Sequence, residues 1–81
     1  MEQDQFKREM NRARTLASLE KEPTRAEYWR GYTRGLRRSY HGEEFGTEEE
    51  HQLFTAAAGE TRDDMRAALG EGYLAGLAFD N

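Results

Sequence analysis

The stretch Gly31-Tyr32-Thr33-Arg34-Gly35-Leu36 returns as Gly72-Tyr73-Leu74-Ala75-Gly76-Leu77. Each copy lies in a segment that otherwise reads as helix. A glycine inside a helix costs about 1 kcal/mol relative to alanine, so four of them cost about 4 kcal/mol. A chain of 81 residues has a total stability of only about 4–12 kcal/mol. Something must offset that loss, and close approach of two helix backbones does so. The spacing therefore predicts two helices packed through Gly31, Gly35, Gly72 and Gly76. Small-residue spacing of this kind is best known from membrane helices. Here the arginines and glutamates around both copies exclude a bilayer.

Outward from the repeat, the helix signals recur. Thr24-Arg25-Ala26-Glu27, Thr47-Glu48-Glu49-Glu50 and Thr61-Arg62-Asp63-Asp64 each resemble a capping box, with an acid three residues after a threonine. Pro23, Gly42 and Gly59 supply stops. Valine and isoleucine do not occur, so strand signals are nearly absent. The chain predicts one all-α domain over 1–81, a small bundle of four helices near 3–21, 25–41, 48–58 and 62–78. The glycine-bearing second and fourth helices form its centre.

Apolar positions at helical spacing give the faces. The first helix offers Phe6, Met10, Ala13, Leu16, Ala17 and Leu19. The second offers Tyr28, Trp29, Tyr32, Leu36 and Tyr40, and the third Leu53, Phe54, Ala57 and Ala58. The fourth offers Met65, Ala68, Leu69, Tyr73 and Phe79. It is apolar almost all round, because Ala67, Leu74, Leu77 and Ala78 occupy its far side. Such a helix is central or shared with another chain. Leu74, Leu77 and Ala78 are accordingly a candidate homodimer surface. Gly70-Glu71-Gly72 is the point where this helix would divide in an alternative architecture.

Charge is strongly segmented. Residues 1–22 balance five acids with five bases. Residues 23–42 carry five arginines against Glu27, and residues 43–64 carry eight acids against Arg62. On the second helix Arg30, Arg34, Arg37 and His41 form a stripe, with Arg38 beside it. Such a stripe can meet phosphates or a protein partner. The acidic candidates are Glu43, Glu44, Glu48, Glu49 and Glu50, which can imitate a phosphate backbone before a basic groove. Both groups also fit a bland reading in which they neutralise each other.

Catalytic chemistry finds no foothold. The only histidines, His41 and His51, match no compact ligand spacing with Glu43 or Glu50. Ser18 and Ser39 lack a positioned base. The carboxylates stand among polar neighbours, where ordinary pKa values are expected. No catalytic, cofactor or metal site is therefore predicted. With no cysteine, no signal segment and no long apolar run, the chain reads as cytoplasmic and without a membrane partner. Phe45, between Gly42 and the Thr47 cap, reads as a plug that packs the connecting loop onto the second or third helix.

The block from Tyr28 through Gly31, Arg34, Gly35, Arg37, Arg38, Tyr40 and Gly42 to Phe45, Thr47 and His51 resembles a pattern in short uncharacterised bacterial proteins. That group implies no catalytic residue for these positions. In size and charge alone the chain is similar to phage and plasmid inhibitors of host defence, including anti-CRISPR proteins. This likeness implies a non-catalytic protein-binding module, an inhibitor of a host nucleoprotein complex. The alternative is a small nucleic-acid-binding or regulatory protein that uses the arginine stripe.

Overall fold

In a computed structural model, residues 1–42 and 45–79 are described. They form α1 (Gln3–Leu19), α2 (Pro23–His41), α3 (Glu48–Ala57) and α4 (Asp64–Leu77). Among the described residues there is no strand. The fold is the predicted all-α bundle, and its most extensive interface joins α2 to α4.

The glycines explain that interface. A Cβ on Gly31 would stand 1.9 Å from the Leu69 carbonyl oxygen, and one on Gly72 would stand 1.9 Å from that of Tyr28. A Cβ on Gly35 would stand 2.0 Å from the Tyr73 carbonyl oxygen, and one on Gly76 would stand 2.2 Å from that of Tyr32. Each helix thus lays its backbone into the notches of the other, where Cα–H groups face carbonyl oxygens. Contacts advance in the same direction along both chains, so α2 and α4 run parallel. The register is reciprocal: Gly31 faces the turn Leu69–Tyr73, and Gly72 faces the equivalent turn Tyr28–Tyr32.

α4 passes unbroken through Gly70-Glu71-Gly72. Gly70 is needed for a different neighbour. A Cβ there would lie 2.2 Å from the Ala58 nitrogen and 2.6 Å from the Phe54 carbonyl oxygen, at the end of α3. One helix therefore carries two glycine faces, one for α2 and one for α3.

α1 closes the other side. Met10, Ala13, Tyr32 and Leu36 are buried together, with Phe6, Tyr28, Trp29, Ala75 and Phe79 packed against them. Phe6 stacks on Tyr40 at 4.2 Å between ring centroids. Three expected core residues face outward instead. Leu19 ends α1 beyond its contact with α2, Leu53 lies on the outer side of α3, and Met65 sits in the exposed first turn of α4. Leu74 and Ala78 are exposed and Leu77 is half-buried, as the outer side of α4 requires.

Helix starts differ from the expected threonines at two of three places. Thr47 does cap α3, accepting from the Glu50 N–H at 3.0 Å. α2 instead begins at Pro23, whose fixed φ suits the first helical position. Its cap is the Glu22 carboxylate, which accepts from the Arg25 N–H at 2.9 Å and the Thr24 N–H at 3.2 Å. α4 is capped by Asp63, which accepts from the Arg66 N–H at 3.1 Å, rather than by Thr61.

Candidate interaction surfaces

Successive arginines of α2 point to different neighbours. Arg34 is ion-paired with Glu50 of α3, and its guanidinium lies 5.3 Å from the centroid of the Phe54 ring. Arg38 reaches Glu48 at 3.4 Å and donates to the Thr47 carbonyl oxygen at 3.3 Å. Arg30 pairs with Glu27 one turn earlier in its own helix. Arg37 has no ion pair among the described residues. Its guanidinium lies 5.7 Å from the centroid of the Phe45 ring. Burial, then the charges of Arg14 and Arg34, hold Arg37 below the usual arginine range. His41 closes α2 with its ring edge-on to Tyr40 and Phe6. Phe45 therefore packs the connection onto α2 as expected, against arginine side chains.

The parallel register gives a reason for the α2–α3 pairs. The positions equivalent to Arg34 and Arg38 in the second half are Ala75, on α4, and Phe79, just beyond it, which pack on the apolar α1 side. In the first half of the chain those same positions face α3, whose near side carries Glu48 and Glu50. Ion pairs thus occupy in one half the place of an apolar contact in the other. Arg34 and Glu50 are both more than a third exposed, so their attraction is screened and contributes modestly.

The acidic candidates divide likewise. Glu48 and Glu50 answer the arginines, and Glu49 faces solvent without a partner among the described residues. Glu43 and Glu44 lie outside the described residues. Glu49, Leu53 and Ala56 share the outward face of α3, all exposed. Beside them opens a depression of about 230 Å³ lined by Glu50, Leu53, Phe54, Ala57, Arg66 and Leu69.

On the opposite side of α2, the groove against α1 has a volume of about 390 Å³. Ala17, Ala26 and Trp29 line it together with Arg14, Arg30 and Arg37, and Ser18 and Thr33 complete it. Arg14 lies on another helix from the stripe, so no spacing within α2 could have added it.

Two interior polar contacts escaped the sequence reading. Glu9 is 8% exposed and bonds to Arg12 twice, from Nε at 2.9 Å and from Nη2 at 2.8 Å. The Tyr32 hydroxyl also donates to it. The Arg12 bond holds the Glu9 carboxyl below the usual range, against the opposing effect of burial. Burial, and then Glu9, push the Tyr32 phenol up to about 12. In the other half, the Tyr73 hydroxyl lies 2.6 Å from Nδ1 of His51. Burial also raises the Tyr73 phenol, so it keeps its proton, and the His51 tautomer sets which of the two groups donates. The expectation of ordinary carboxylates fails at Glu9, and also at Glu22, where the Arg25 and Thr24 N–H groups lower the pKa.

Among the described residues no group of three or more histidines and acids is placed to hold a metal ion. None of their helices is long and apolar enough to cross a membrane. No protein-family model, no curated protein and no solved structure matches the chain.

Proposed function

We propose that this chain is a non-catalytic protein-binding module whose contact face is the outer side of α3. The single observation that supports it is Leu53, a large apolar side chain 59% exposed beside an open apolar depression. An apolar centre with a charged rim is the anatomy of a protein interface. Here the rim is acidic at the start of α3, where Glu49 is unpaired among the described residues. The fitting partner surface is basic with an apolar knob or slot. A protein that handles nucleic acid offers such a groove, and an inhibitor of a host nucleoprotein complex would occupy it. Phosphate imitation then falls mainly to Glu49, because Glu48 and Glu50 are engaged by Arg38 and Arg34.

The test compares the native chain with a Glu49→Lys, Leu53→Glu double variant in capture from the source cell. The reading expects one protein bound by the native chain, released by salt or by added nucleic acid, and absent from the variant. An unchanged set of captured proteins, with the helical spectrum intact, overturns it.

A further inference from the structure

We propose that the groove between α1 and α2 docks an acidic, amphipathic helical segment of a partner protein, with Arg14, Arg30 and Arg37 receiving its carboxylates and Ala17, Ala26 and Trp29 its apolar side chains. The proposal shares with the functional reading only the premise that the partner is a protein. The face is a different one from Glu49 and Leu53.

The first support is uncompensated charge. Arg14 and Arg37 come from different helices, and neither has an ion pair among the described residues. They stand close enough that Arg14 helps to depress the Arg37 pKa. Arg30 adds a third guanidinium, paired with Glu27, and no carboxylate lines the groove itself. On α1 the same face continues through Lys7, Asn11 and Ser18, with Asp4 at its N-terminal end. Like charges held together in this way favour an anion.

The second support is an internal control. α3 and α4 form the equivalent hairpin. At the positions matching Ala26, Arg30, Thr33 and Arg37 they carry Ala67, Glu71, Leu74 and Ala78. Hairpin packing therefore does not require arginines at this face. Their repulsion is a cost that folding alone leaves unexplained, and a ligand explains it.

The groove also selects among anions. Its floor of two alanines and an indole has room for methyl and leucine side chains between two helices, the helix-in-groove mode of recognition. The Trp29 ring is already engaged, with Arg12 5.7 Å from its centroid and the rings of Tyr28 and Tyr32 edge-on to it. It is poorly free for base stacking, on which single-strand binding relies. The net charge of −4 further disfavours an extended polyanion.

The experiment titrates the full chain into three labelled probes. They are an amphipathic helix of glutamate, leucine and alanine, its glutamine counterpart, and an oligothymidylate. The proposal expects the acidic helix to bind, and the glutamine helix and the oligonucleotide to bind at least about tenfold more weakly. Arg14→Glu and, separately, Arg37→Gln should each weaken the acidic helix by about tenfold, while Leu53→Glu leaves it unchanged. Arg14 is exposed, so its variant keeps the fold whatever happens at Arg37. No binding of the acidic helix, equal binding of the glutamine helix, or tighter binding of the oligonucleotide overturns the proposal. So does loss through Leu53→Glu with Arg14→Glu unaffected, which would move the helix to α3. Failure of the α3 reading shows instead in cell capture, which this titration does not involve.

Discussion

Tyr32 and Tyr73 make equivalent contacts from the two halves of the chain. Each follows the first glycine of its repeat, and each directs its hydroxyl to the helix that precedes its own. Tyr32 reaches Glu9 on α1, and Tyr73 reaches His51 on α3. The glycines set how near the central helices lie, and the tyrosines tie a flanking helix to each.

Alanine substitution should therefore separate the seam from other glycines. Gly31→Ala or Gly72→Ala drives a methyl to within 2 Å of a carbonyl oxygen on a rigid helix. Each should cost about 3 kcal/mol or more, the upper range of overpacking. Gly59→Ala meets nothing closer than 3.6 Å and has no positive φ, so it should stay within about 0.5 kcal/mol of neutral. Urea unfolding monitored by circular dichroism checks this, and equal losses at Gly59 and Gly31 would contradict the packing.

The Glu9 contact predicts an acid limb in the stability curve. Its carboxyl is held below the unfolded value of about 4.3. The unfolded chain thus binds a proton first as pH falls. The stability that Glu9 contributes is fully present above about pH 5, and acidification through the lowered folded pKa removes it. Glu9→Gln should flatten that limb. Tyr32→Phe should cost about 1.5–3 kcal/mol at neutral pH, the range for a hydrogen bond to a charged group. Thermal melts from pH 3 to neutrality provide the measurement, and an unaltered acid limb in Glu9→Gln would exclude the role.

Caps offer a contrast between two similar threonines. Thr47→Ala removes an acceptor for the Glu50 N–H and should destabilise by about 1 kcal/mol. Thr61→Ala should change stability by less than about 0.5 kcal/mol, because Asp63 holds that position. Chemical unfolding of the two variants in parallel distinguishes them.

The ion pairs between α2 and α3 should contribute little singly. Glu50→Gln should cost less than about 1 kcal/mol, with the loss shrinking in high salt. A large, salt-independent loss would show that Arg34 and Glu50 are more strongly desolvated than their exposure indicates.

The glycine repeat made the central pair legible, because glycines at that spacing weaken both helices unless the two backbones touch there. The cap of α2 was misread because Pro23 makes Glu22 the capping position, and a carboxylate there outcompetes Thr24. At α4, Asp63 lies nearer the apolar periodicity than Thr61 and takes the same duty. Leu53 looked like core because its spacing is helical, but spacing does not reveal how little of α3 is covered. The division of the arginine stripe was equally hidden. Arg34 and Arg38 pair with α3, while Arg30 and Arg37 also line the groove that holds Arg14, and only three-dimensional placement reveals this. The bond between Tyr32 and Glu9 joins residues 23 positions apart, with no local pattern to announce it.

The parallel course of α2 and α4 has a consequence for assembly. Helices that must lie side by side in the same direction cannot zip up from a neighbouring turn. Neither hairpin possesses a finished interior until the other arrives. A protein severed between the halves should consequently behave as two complementary fragments, each disordered in isolation and regaining helicity on mixing.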